Sequence, residues 1–143
     1  MRLVQLIYCS RVASGVHGTA ITSIVDVSRI NNARDGVTGA LCFNANFFLQ
    51  CLEGERAAVN EAYHRILRDP RHEGALLLRY TEVPKRQFGD WSMGYLSSQA
   101  MTPELLLQYG SNDLFDPEDL GADAALDFLL ELKSRAIRLR QPA

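Results

Sequence analysis

The sequence is short of several things, and each shortage removes a class of function. No apolar run approaches the length of a membrane-spanning helix, so no membrane is expected as a partner. The opening MRLVQLIYCSRV turns polar too soon for a secretory signal, and the chain reads as cytoplasmic. No basic run reaches five residues and the formal net charge is -2, which argues against direct binding of nucleic acid. Cys9, Cys42 and Cys51 are odd in number, lie in apolar strand-like runs and have no CxxC spacing. They read as small buried hydrophobes, not as disulfides, metal ligands or nucleophiles. His17, His64 and His72 occur singly, so no zinc-type cluster is expected. What remains is a chain of 143 residues, 47% apolar and 22% charged, which fits one globular domain with a proper core and has no room for a second, catalytic domain.

Periodicity supplies the elements. Residues 2–9 (RLVQLIYC) read as a strand and residues 19–34 as a helix with Ile21, Ile24, Val25 and Ser28 on one side, stopped at Gly36. Residues 38–44 and 46–53 follow as two strands joined by a tight reversal at Asn44-Ala45-Asn46. A second helix starts near Glu55, turns Val59, Ala62, Tyr63 and Ile66 inward, and closes at Asp69-Pro70. Strands over 75–81 and 91–96 complete the order β-α-β-β-α-β-β, the pattern of a ferredoxin-like α+β sandwich with both helices on one sheet face. The first strand is apolar on both alternating sets, so the other face needs a cover as well. Residues 103–110 and 123–139 provide two helices for it, the second with Ala124, Leu126, Phe128, Leu129, Leu132 and Ile137 as its apolar stripe. The expected division is a domain over 1–97 and a helical extension over 98–143.

One residue breaks the pattern. In FFLQCLEG (47–54) the amide of Gln50 sits among core-seeking side chains, and leaving it unpaired would cost roughly 1–3 kcal/mol. Alternation puts Gln50 on the same face as Phe48 and Leu52, and Tyr8 with Val4 and Leu6. If those strands are neighbours, Tyr8 reaches Gln50. On the first helix Ile24, Ser28 and Asn32 are spaced by four, with Asn31 beside them; on the second, Ala58, Ala62, Arg65 and Asp69 run from small to polar. Together they describe a slot floored by Tyr8 and Gln50, walled by Ile24 and Ser28 and mouthed by Asn31, Asn32, Arg65 and Asp69, suited to a flat heterocycle. Each residue also has a local explanation: a satisfied core Gln, helix-end Asn caps, and an Arg65–Asp69 surface ion pair at i,i+4.

LIYCSR (6–11), NNARDGVTGALCF (31–43), FLQCLEG (48–54), RILRDPRH (65–72) and DWSMG (90–94), in this order, resemble the BLUF domain, a family of blue-light sensors using flavin. The resemblance covers about residues 1–97 and implies a photoactive pair, Tyr8 and Gln50. It implies that Asn32 holds the flavin carbonyl edge, with Asn31, Arg65 and Asp69 as further cofactor-binding residues and Arg68, Arg71 and His72 near the phosphate end. It favours FAD over FMN. Excited flavin would take an electron from Tyr8, a proton would follow through the Gln50 amide, and recombination would leave that amide rotated or tautomerised, with red-shifted absorption. Trp91 and Met93, expected to alternate on the fifth strand, belong by the same resemblance to the segment that responds to light. Beyond residue 97 the chain is similar to short BLUF proteins with two terminal helices and no effector enzyme. It is therefore expected to be no enzyme, to signal through an unidentified downstream effector protein, and to form a homo-oligomer through its apolar tail.

Two other readings stand beside this one. SRVASGVHG (10–18) faintly resembles the phosphate-binding loop of acylphosphatases, in which case Arg11 would bind phosphate and Asn44 would position water. The other is a flavin-free oligomeric adaptor, with Tyr8 and Gln50 as a satisfied polar pair.

Overall fold

The computed structural model describes residues 2–140. Strands β1 (Leu3–Val12), β2 (Thr38–Phe43), β3 (Phe47–Glu55), β4 (His72–Glu82) and β5 (Gly94–Leu96) form one sheet in the order β4-β1-β3-β2-β5. All neighbours are antiparallel except β2 and β5, which run parallel. Helices α1 (Gly18–Asp35) and α2 (Arg56–Arg68) cross between strands, and α3 (Pro103–Tyr109) and α4 (Ala122–Arg140) follow the last strand. This is the ferredoxin-like α+β arrangement expected from the element order, with a fifth strand added at the β2 edge.

Local chemistry accounts for the boundaries. α1 ends at Gly36, whose φ of 72° is the left-handed geometry that glycine adopts at no steric cost, and the Val37 N–H returns to the Asn32 carbonyl. The β2–β3 reversal is held by Asn44, whose side-chain oxygen accepts from the backbone N–H groups of Asn46 and Phe47 at 2.8 Å each. Thr102 caps α3 through Leu105 N–H, with Pro103 in the first turn.

Two cores lie back to back across the sheet. Val4, Leu6, Tyr8, Leu41, Phe48 and Leu52 pack against Ile21, Ile24 and Val25 of α1 and Val59 and Ala62 of α2. Ile7, Cys9, Cys42, Leu49 and Cys51 face the other way, onto Leu105 of α3 and Ala125, Phe128, Leu129 and Leu132 of α4. All three cysteines are free and buried there, and burial pushes the Cys9 thiol up to about 11, so they behave as apolar side chains.

Two expectations need correction, and one loop joins the core. The stripe of α4 is Ala125, Phe128, Leu129 and Leu132, whereas Ala124 is only half-buried and Ile137 is exposed. Residues 111–121, which connect α3 to α4, contribute to the core, since Phe115 is buried and stacks on Phe128 at 5.6 Å. The fifth strand is shorter than 91–96, because Trp91, Ser92 and Met93 give their carbonyls to Gly39 N–H, Asn32 and Arg29 in a bent segment ahead of β5.

Because Phe128 is 1% exposed and touches both Phe115 and Tyr109, Phe128→Ala is expected to cost about 3–5 kcal/mol through transfer loss and cavity formation. Urea unfolding monitored by circular dichroism measures it; a loss under about 1 kcal/mol would mean that α4 is not part of the cooperative core.

Candidate functional site

The site begins with strand register. Tyr8 on β1 stands directly opposite Gln50 on β3, on the face covered by α1 and α2. Directly opposed residues in an antiparallel pair have their side chains side by side, and the Tyr8 hydroxyl donates to Gln50 Oε1. At its other end, Gln50 Nε2 donates to the sulfur of Met93 at 3.2 Å. Tyr8 is fully buried and Gln50 nearly so, at 3%. Burial, and then the nearby Tyr63, Asp69 and Cys9, hold the Tyr8 phenol well above its ordinary pKa, so it stays protonated and donates.

Above this pair, between α1 and α2, opens a cleft of about 170 Å³. Ile24, Ser28, Asn31 and Asn32 line it from α1, Arg65 and Asp69 from the end of α2, and Arg71 and His72 from the start of β4. Ala62 on α2 lines the cleft, and its small side chain leaves the space above the floor unfilled. Asn32 is 3% exposed, and its amide donates to the Ser92 carbonyl at 3.1 Å instead of capping its own helix. That removes the local explanation for Asn32.

The mouth is charged and internally paired, though not as the sequence spacing suggests. Arg65 pairs with Asp35 at 3.4 Å and Glu61 at 3.5 Å, while Asp69 takes a two-pronged contact from Arg71, 2.6 Å at its shortest. The expected Arg65–Asp69 pair is replaced because the chain turns at Pro70 and brings Arg71 back onto Asp69. Burial tends to raise the Asp69 carboxyl, but hydrogen bonds from Arg71 outweigh it and the net shift is downward. Arg68 is exposed and does not line the cleft, since it points off the outer side of α2. Val27, Leu52 and Ile66 also line it and were not anticipated: they read from sequence as ordinary apolar positions.

Trp91 and Met93 lie on opposite sides of the sheet. Met93 is buried in the core beneath α1 and α2, against Gln50, whereas Trp91 packs on the α4 side near Phe88 at 6.2 Å. Arg11 and Asn44 do not form a phosphate site. Arg11 pairs with Glu118 at 3.6 Å, and the Asn44 oxygen is engaged in the hairpin turn.

The donor set suits a flavin: an apolar slot for a planar ring, buried amides of Gln50 and Asn32 at its inner end, and arginines at its mouth for a phosphate-bearing tail. Gln50 Nε2 faces only a thioether, a weak acceptor that a ring carbonyl would better replace. The sequence profile of the family described as "Sensors of blue-light using FAD" matches residues 3–94. The chain belongs to the BLUF family. Among curated BLUF relatives, the "Blue light- and temperature-regulated antirepressor BluF" of Escherichia coli is 35% identical over 91 residues, covering 64% of this chain and 23% of that protein. The "Photoactivated adenylate cyclase subunit beta" of Euglena gracilis is 33% identical over 73 residues, 51% of this chain and 8% of that one. The chain thus spans less than a quarter of the length of either. Two solved BLUF structures are similar over most of both chains. "BlsA photo-activated state" matches with a TM-score of 0.81 and 29% identity over 91% of this chain and 94% of that one. "BlrB - a BLUF protein, dark state structure" matches with 0.75 and 34% over 94% and 97%. As a BLUF protein, the chain is a blue-light sensor that uses flavin. No helix among the described residues is long and apolar enough to cross a membrane.

His72 is a half-buried titratable group in this BLUF cleft with a well-marked shift. Its ring lies 4.3 Å from Phe48, and Nδ1 is 2.8 Å from Ser10 Oγ. Burial pushes its pKa down to about 4, against the pull of Asp69 and with the push of Arg71. A lowered folded-state pKa means that the unfolded chain takes up the proton first. The stability from neutral His72 is therefore complete above about pH 6.5 and is lost as pH falls toward 4. Between pH 7.5 and pH 5 this one group is expected to remove about 2 kcal/mol. Urea unfolding of the wild type and His72→Gln at both pH values measures it, and equal pH sensitivity in the two proteins would refute it.

Proposed function

We propose that this chain carries the light-sensing step on Tyr8 and Gln50, holds FAD in the cleft between α1 and α2, and passes its signal to a separate effector protein, with no catalytic activity of its own. The observation that carries this reading is the position of Gln50, whose amide bridges the Tyr8 hydroxyl and the Met93 sulfur at the cleft floor. Asn32 and Asn31 would hold the ring edge, Ile24 and Ser28 its flank, and Arg65, Asp69, Arg71 and His72 the tail. FAD is favoured over FMN because the matching family is described as sensors using FAD.

Flavin, when bound, supplies absorption of blue light and an excited-state oxidant. The protein's part is proton control. Tyr8 Oη holds a proton that burial keeps in place, and Gln50 Oε1 is the atom positioned to receive it. Nε2 has a proton to give on the opposite side. Rotation of the amide about Cγ–Cδ would exchange its donor and acceptor ends, an uncharged rearrangement that needs no net proton loss and takes Nε2 away from Met93 Sδ. A carboxylate has no such pair of distinct neutral ends, and an apolar side chain cannot relay. Release of Met93 then loosens the 91–93 segment, which is a two-state element of the packed kind.

Gln50→Leu is expected to keep bound flavin and lose the reversible light-induced red shift, because Asn32 and the apolar slot survive while the switching amide does not. Difference absorption before and after blue light reads this directly, and a normal shift in the variant would sink the mechanism. Tyr8→Phe, which changes volume by one hydroxyl, is expected to fold and bind flavin but fail to form the ordinary light state. Asn32→Ala is expected to reduce flavin retention several-fold, as the loss of one or two hydrogen bonds worth about 0.5–1.5 kcal/mol each would do. Flavin-to-protein ratio after gel filtration measures this; an unchanged ratio would remove Asn32 from the cofactor site.

A further inference from the structure

The segment between β4 and β5 is tied down at both ends. At its start, Arg86 donates to the Thr38 hydroxyl and the Glu53 carbonyl, and the buried Glu53 carboxylate accepts from the N–H groups of Gln87 and Phe88 at 2.7–2.9 Å. At its end, Asn32 and Arg29 of α1 hold the carbonyls of Ser92 and Met93. Between these anchors the Trp91 ring lies flat over Gly94, so close that a Cβ there would sit 2.0 Å from the indole. One α4 side chain completes that seat. Lys133 Nζ donates to the Gln87 carbonyl at 2.6 Å and stands 5.3 Å and 5.4 Å from the ring centres of Phe88 and Trp91. An ammonium over an aromatic face is attracted to it only while the ring is there. Beside Trp91 a cleft of about 320 Å³, bordered by Arg29, Met93 and Ala136 of α4, gives the indole room to move.

We propose that Lys133 is a positioning residue through which α4 reads the place of Trp91: it holds the indole on the α4 side, and departure of the ring removes one of its two aromatic partners while the Gln87 contact stays. This rests on the photosensor reading above. By linkage the effect is reciprocal, so a change at Lys133 alters how firmly the indole is held as displacement of the indole alters the hold of α4.

Trp91 is the only tryptophan in the chain, so its emission reports its own surroundings. Lys133→Met, which keeps the packing volume, and Lys133→Arg, which keeps the cation, are compared with wild type as flavin-bound and as flavin-stripped protein. In Lys133→Met the dark emission of Trp91 is expected to change, and the thermal return of the flavin spectrum after blue light to change by roughly two- to thirtyfold, the range a cation–π contact covers. The size of the light-induced shift, set at Gln50, is expected to persist, and Lys133→Arg to restore both readouts. Gly94→Ala, which displaces the indole sterically, is expected to alter Trp91 emission in the same direction. It serves in place of Lys133→Met should that variant not fold. Wild-type emission and recovery in Lys133→Met, or no rescue by arginine, would overturn the assignment. Absence of any light-induced shift in wild type would instead defeat the photosensor reading, and dark emission of the stripped variants would still decide whether Lys133 holds Trp91.

Discussion

A central strand pair with no wet face governs this structure. β1 and β3 are covered by α1 and α2 on one side and by α3 and α4 on the other, so any polar side chain on them must be paired inside the protein. Two such pairs join the strands to each other, each made of residues directly opposite in register, while the buried Ser10 of β1 pairs with His72 of β4. Tyr8 meets Gln50 on the α1 and α2 side, and Gln5 meets Glu53 at 2.8 Å on the α4 side. The first pair lies at the floor of the cleft. The second anchors Gln87 and Phe88, and so the segment that carries Trp91 and Met93.

That arrangement gives the sheet a way to connect its two faces. Gln50 and Glu53 are on the same strand, three residues apart, and point to opposite sides. Met93 touches Gln50 from one side of the sheet while Trp91 packs against Phe88 and Lys133 on the other. The proposed rearrangement of the Gln50 amide would therefore act on a segment whose neighbours include α4, without any strand having to leave its ladder. Close packing favours discrete alternatives over gradual deformation, which is what a light-driven switch requires. Arg79 adds a second tie to the same helix, bridging the Gln5 amide and Asp123 at the start of α4.

Much of this was legible in the sequence, for physical reasons that can be named. Side-chain alternation along β1 and β3 is fixed by the backbone, so the face shared by Tyr8 and Gln50 followed from the parity of their positions, and double-sided apolarity in β1 required a cover for the second face. Helical spacing gathered Ile24, Ser28 and Asn32 on one side of α1, and the cleft is lined as that spacing implied. The motifs that carry the family resemblance lie on the strands, helix ends and bent segment that surround this cleft.

Other features were decided only when the chain closed on itself. Asp69 pairs with Arg71 because a proline turn redirects the backbone, a three-dimensional fact that i,i+4 spacing does not hold. Trp91 and Met93 part company because carbonyls in their segment find donors on α1 and β2, which ends the strand before it starts at those residues. Phe115 leaves a polar-looking loop for the core because Phe128 offers it a ring to stack on. Lys133 showed no motif signal, and Glu53, although inside the FLQCLEG motif, gave no sign of its partners, because the Gln87 and Phe88 N–H groups and the Gln87 carbonyl meet these side chains only once the loop is in place. The sequence by itself determined the order of elements, the faces of the strands and the set of residues proposed to bind and switch. Tertiary structure decided which charges pair, which aromatic lies where, and how α4 touches the site, because those depend on contacts between segments that are far apart in the chain.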